Sequence, residues 1–137
     1  MGSVIKKGIY QLVKEANQVV REISVSEAIA LYGKEGVQFV DLRDIRELER
    51  EGVIPGAYHC PRGMLEFWVD PESPYAKEIF QQELTFVLFC GGGLRSALAG
   101  KAIIEMGLTD VLHIHSGYSG WKKAKGHTAE FIAKGHG

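Results

Sequence analysis

Apolar and polar positions along this chain switch between a helical and a strand period, and the switches mark its elements. Over residues 5 to 20, Ile5, Ile9, Leu12, Val13, Ala16, Val19 and Val20 keep a helical spacing, with Lys6, Lys7, Lys14 and Glu15 mostly elsewhere. That spacing predicts an amphipathic helix. Ser24-x-x-Glu27 is a capping-box pattern opening a helix that runs toward Gly33, and Asp44-x-x-Glu47 opens a second, stopped near Gly52. Val37 to Asp41 reads as a strand, Ile54-Pro-Gly-Ala57 as a turn, and Ala57 to Cys60 as a short strand. Thr85 to Phe89 is a continuous β-branched and apolar run, the pattern of a strand buried on both faces. From Ser96 onward Leu98, Ala102, Ile103 and Met106 return to helical spacing, with Ser96 as the expected N-cap, its hydroxyl also placed to donate toward Cys90. Val111 to His115 is the last strand, its alternation putting His113 and His115 on one face. A short helix from Gly120-Trp121 precedes a tail expected to fray.

Strands alternating with helices imply an α/β fold: a central parallel sheet with helices on both faces. The reading is one domain over residues 23–125, preceded by the amphipathic helical extension at 1–22 and followed by the tail at 126–137. Residues 61 to 83 break the pattern. Pro61, Pro71 and Pro74 bracket an apolar cluster without period, which predicts an ordered excursion rather than a long helix. Within it, Phe67 and Trp68 either pack down on the core or wall the mouth of a pocket.

Composition narrows the function. A net charge of −1 gives no electrostatic case for nucleic acid or an anionic membrane surface. No stretch approaches the roughly 20 apolar residues that span a bilayer. Two cysteines, Cys60 and Cys90, are too few for a disulfide scaffold and suit a reducing compartment, so cytoplasm is the expected location. The five histidines (His59, His113, His115, His127 and His136) lack metal-ligand spacing.

The chemistry concentrates at Cys90. It stands where a strand ends and a helix is about to begin, and Gly91, Gly92 and Gly93 follow it. Glycines permit successive peptide N–H groups to turn inward, and a helix N-terminus behind them adds a positive dipole. The expectation is a concave ring of donors that stabilises negative charge on one sulfur. In open α/β sheets ligands bind beyond the carboxyl ends of strands, where Cys90 and Asp41-Leu42-Arg43 both lie.

Three segments carry a family resemblance. Cys90-Gly91-Gly92-Gly93-Leu94-Arg95-Ser96 resembles the active-site loop of the rhodanese (sulfurtransferase) family, C-x-x-G-x-R-[ST]. Asp41-Leu42-Arg43 with Gly52-Val53-Ile54-Pro55-Gly56-Ala57 is similar to its D-x-R…G-H-I-P-G-A segment, Val53 replacing the usual histidine. Ser116-Gly117-Tyr118-Ser119-Gly120-Trp121 is similar to its G-G-[FY]-x-x-W. The resemblance implies a sulfurtransferase in which Cys90 takes a sulfane sulfur from a donor (thiosulfate or a thiol persulfide). It then passes the sulfur to cyanide or a thiol in a ping-pong cycle, without metal or organic cofactor. It also implies that residues 91–96 bind the anionic sulfur; Asp41, Arg43 and Glu47 are read as support around the loop.

Arg95 is read either as a substrate-binding cation or as a clasp on a carboxylate near Asp41 or Glu47, the clasp being favoured. Members that handle thiosulfate often place Arg or Lys directly after the cysteine, where this chain has Gly91 and Gly92. A persulfide carrier or sensor acting with an acceptor protein is the alternative of another class. A phosphatase or arsenate reductase of the same fold is the weaker one, because phosphatase loops use C-x5-R and Arg95 comes one position too early. Cys60 is expected to be a small buried hydrophobe.

Overall fold

In the computed structural model, which describes residues 2–133, five strands form one all-parallel sheet in the order β1-β5-β4-β2-β3. They are β1 (Arg21–Ile23), β2 (Val37–Asp41), β3 (Tyr58–His59), β4 (Thr85–Phe89) and β5 (Val111–Ile114). Six helices connect and cover them among the described residues: α1 (Ile9–Ala16), α2 (Val25–Leu31), α3 (Ile45–Glu51), α4 (Leu65–Val69), α5 (Leu94–Met106) and α6 (Gly117–Lys123).

The central strand β4 shows why its sequence is unbrokenly apolar. Phe86 and Leu88 point to a core shared with Val40, Leu65, Val69, Ala99 and Ile103, under α4 and α5. Val87 and Phe89 point to the opposite core, with Ile23, Ala28, Phe39, Tyr118 and Trp121, under α2 and α6. Each face of the sheet is thus closed by its own layer.

Both capping boxes form as the spacing predicts. Ser24 Oγ accepts from the Glu27 N–H and the Glu27 carboxylate accepts from the Ser24 N–H; Asp44 and Glu47 repeat the exchange at α3. Other expectations need correction. The N-terminal helix is shorter than its apolar period and ends at Ala16, because the chain must turn to lay down β1. That strand was not predicted. It is three residues long and only Ile23 is buried, so it carries no alternation to read. Helix α5 begins at Leu94, with Gly93 rather than Ser96 at its N-cap. The tail does not fray at 126. Val53 and Ala129 exchange backbone hydrogen bonds of 2.8 and 2.9 Å, and Trp121 Nε1 donates to the His127 carbonyl. Residues 134–137 of the tail, with His136, lie outside the described residues.

Trp68 packs into the core, edge-on to Tyr58 and beneath the Lys77 ammonium, while exposed Phe67 meets Tyr75. No residue of the Cys90 loop is among these partners. No helix among the described residues is long and apolar enough to cross a membrane.

Candidate active site

Strand β4 delivers Cys90 to the carboxyl edge of the sheet, and the chain turns at once into α5. Gly93 is the residue on which the turn depends. Its φ of +102° is one that side-chain-bearing residues rarely adopt, and a Cβ there would collide with the His115 carbonyl. Gly92 is different: space beside it is open. The Gly93 N–H points inward and donates to Cys90 Sγ at 3.2 Å, and Ser96 Oγ lies 3.6 Å from the same sulfur. Cys90 is 1% exposed and Ser96 is fully buried, so the sulfur lies beneath the loop, with one backbone donor and one hydroxyl beside it.

The loop is held from outside by the segments that sequence singled out. The Tyr118 and Ser119 N–H groups donate to the carbonyls of Cys90 and Gly91 at 2.8 and 3.1 Å. That approach is possible because Gly117 has no side chain; a Cβ there would lie 2.6 Å from the Cys90 carbonyl oxygen. Arg95 reaches across to α3, where Nη1 and Nη2 donate to the two Glu47 oxygens at 2.7 and 2.9 Å. This bidentate bond holds the Glu47 carboxyl below its ordinary range and the guanidinium above its own, against the opposing effect of partial burial. Arg95 is therefore the clasp rather than a free cation.

Arg43 and Asp41 form a second, fully buried pair, with Nε and Nη2 donating to the carboxylate at 3.0 and 2.8 Å. Arg43 Nη2 also donates to the Gly52 carbonyl, and the guanidinium lies 4.0 Å from the centre of the Tyr118 ring.

Of the two sequence readings of Ser96 the contact with the sulfur holds and the cap does not, and His113 had been placed on a face without a role. Ser96 does not cap α5; it lies inside the first turn with its hydroxyl turned toward Cys90. His113 is not at the surface: it is fully buried, with Nδ1 2.9 Å from Ser96 Oγ and Nε2 2.6 Å from Asn17 Oδ1. The shared face of His113 and His115 was the available signal. His115 remains exposed, beside Glu22.

Cys60 is fully buried in the α4–α5 core, where burial pushes its thiol up to about 12. Cavities of about 520 and 560 Å³ flank the region, one along Gly92–Leu94 and His115, the other along Asp41, α3 and His59; neither is lined by Cys90. Among the described residues no three His, Cys, Asp or Glu side chains are grouped to hold a metal ion.

The Rhodanese-like domain model matches residues 24–124, which takes in all three segments and four of the five strands, β1 lying just before it. No curated protein matches the chain. Among solved structures, a Rhodopseudomonas palustris protein described as of unknown function and a possible tyrosine phosphatase (RPA3614) is 50% identical, with a TM-score of 0.91 over 94% of this chain and 99% of that one. The polysulfide-sulfur transferase homodimer of Wolinella succinogenes is 26% identical, with a TM-score of 0.65 over 90% of this chain and 88% of its own. The human single-domain sulfurtransferase TSTD1 is 25% identical, with a TM-score of 0.61 over 74% and 95%. With a family model spanning most of its length, the chain belongs to the rhodanese-like domain family.

Proposed function

We propose that the protein is a sulfurtransferase that carries one sulfane sulfur on Cys90. The observation supporting this most directly is the buried sulfur facing the inward Gly93 N–H at 3.2 Å, a donor placed where negative charge develops. The Cys90 thiolate attacks the outer sulfur of the donor and an S–S bond forms. The donor's own S–S bond breaks, and its electron pair leaves with sulfite from thiosulfate or with R–S⁻ from a persulfide R–S–SH. Cyanide or a thiol then attacks the outer sulfur and Cys90 leaves as thiolate, so the cycle needs no external oxidant or reductant.

The relative described as a possible tyrosine phosphatase gives that second reading its one specific support. Against it stand the short Cys90–Arg95 spacing and the engagement of both terminal Arg95 nitrogens by Glu47, which leaves no free fork to grip a phosphoryl group.

The protein is incubated with thiosulfate, and separately with glutathione persulfide, and its intact mass is recorded. A gain of about 32 Da, lost on adding cyanide or a thiol and absent in Cys90→Ser, is the expected result. Hydrolysis of p-nitrophenyl phosphate without any mass gain would replace this reading with the phosphatase one. A mass gain that no small acceptor discharges would assign a carrier for a partner protein.

A further inference from the structure

A chain of polar groups leads away from Cys90 to α1, beyond the stretch that the family model matches. Its hydrogen positions follow from the acceptors present. Asn17 Oδ1, 2.6 Å from His113 Nε2, can only accept, and the Glu22 carboxylate, 3.8 Å from the same nitrogen, likewise. Asn17 Nδ2 faces that carboxylate at 3.5 Å, which fixes the orientation of the amide. Nε2 therefore carries the ring proton. Burial keeps the imidazole neutral, with Glu22 pulling weakly the other way, so Nδ1 presents a lone pair. The Ser96 hydroxyl donates to it at 2.9 Å, a shorter contact than the 3.4 Å to the Gly93 carbonyl. The lone pairs of Ser96 Oγ are left facing Cys90 Sγ at 3.6 Å, placed to receive the thiol proton.

Resting on the reading of Cys90 as the sulfur-accepting nucleophile, we infer that His113 is a positioning residue that accepts the Cys90 proton through Ser96, its tautomer set by Asn17 at the C-cap of α1. In the resting site the thiol and the imidazole are both neutral. Only as Cys90 attacks does the thiol proton pass to Ser96 Oγ while the hydroxyl's own proton passes to His113 Nδ1, the negative charge forming on the sulfur raising the basicity of the ring during that step. The new Ser96 O–H faces the sulfur anion, and the imidazolium faces the Glu22 carboxylate. When Cys90 is released as the thiol, both protons return. The titratable groups facing the ring are Glu22 on β1, His115 after β5, and Cys90 across Ser96. The end of the N-terminal helix, which packs against α5, thereby completes the site.

The test reads Cys90 directly, by its rate of alkylation with iodoacetamide as a function of pH, resolved by peptide mass spectrometry. This probe needs no sulfur donor. A protein that alkylates at Cys90 but never loads sulfur would refute the proposed function, while the proton path would still be tested. His113→Asn keeps a hydrogen-bonding group toward Ser96 but takes up no proton. It should slow alkylation by at least about tenfold near pH 6, the gap closing as pH rises and hydroxide replaces the missing base. Asn17→Ala leaves the ring in place and should show the same pH-dependent gap at about threefold; it serves if His113→Asn does not fold. Wild-type rates in both variants, or a slowing that is constant across pH, would overturn the inference.

Discussion

The burial of His113 makes the stability of this protein depend on pH, in a direction and amount that can be worked out. Its folded-state value is pushed down to about 4 from an ordinary 6.5 by loss of solvent, so between those values the unfolded chain binds a proton that the folded one refuses. Stability therefore rises with pH across this window and is lost as the solution is acidified from 6.5 toward 4. At roughly 1.36 kcal/mol per pH unit the full window amounts to about 3 kcal/mol, of which about 2 kcal/mol falls between pH 7 and pH 5. Other groups titrate too, so the comparison is with His113→Asn, which lacks the ionisation. Urea unfolding followed by the fluorescence of buried Trp121, at half-unit pH steps, gives both curves. The variant is expected to begin less stable at pH 7, having lost a ring and the bond to Asn17, and to lose less than half as much on acidification. Parallel curves would refute the reasoning, since they would mean that His113 titrates normally in the folded protein.

Two further substitutions probe the loop. Gly93→Ala puts a side chain on a residue with φ of +102° and against the His115 carbonyl; sulfur loading should vanish and stability fall by more than about 2 kcal/mol. Gly92→Arg has open space and should fold normally, and as the cation this loop lacks it should raise kcat/KM for thiosulfate by roughly tenfold at low salt, the gain fading at high salt. Breaking the clasp with Glu47→Gln should lower stability by about 1 kcal/mol or less, because Arg95 is partly solvated, yet slow transfer several-fold as the loop loosens. Because Arg95 holds Glu47 below the ordinary carboxylate range, the wild-type clasp is intact above about pH 4.5 and is lost as pH falls through the depressed value; steady-state kinetics against pH checks this.

What the sequence disclosed was whatever is local. Capping boxes at Ser24 and Asp44 are decided by residues three apart, and β4 announces itself because both its faces are buried. Three-residue β1 leaves no such mark. Ser96 was read as a cap whose hydroxyl could also reach the sulfur, because serine at a helix start is usually a cap; here the cap is Gly93, and the hydroxyl lies between the sulfur on one side and His113 on the other. Alternation placed His113 on a face but could not say what covers that face. The answer comes from Asn17, a residue 96 positions away whose side chain only the fold brings near. Phe67 and Trp68 had an apolar cluster without period, and a cluster alone does not give direction; Trp68 turned to the core.

The three resembling segments are one physical object, and the reason is the loop's own entropy. Ordering backbone costs about 1–2 kcal/mol per residue, and a run of glycines has no side chains with which to recover it. The recovery comes from neighbours. Glu47 holds Arg95, and the Tyr118 and Ser119 N–H groups hold the loop carbonyls. Tyr118 is fixed in turn by its hydroxyl bond to the Glu51 carbonyl and by Arg43 against its ring. Arg43 Nη1 is buried without a hydrogen-bond partner, so the Asp41–Arg43 pair is a poor source of net stability, as buried ion pairs often are. Its position gives it a different value. It touches the end of β2, the Gly52 turn and the start of α6 at once. That contact keeps α3, with Glu47, and α6, with the amide donors, in register around a sulfur that a displacement of about an ångström would leave without its donor.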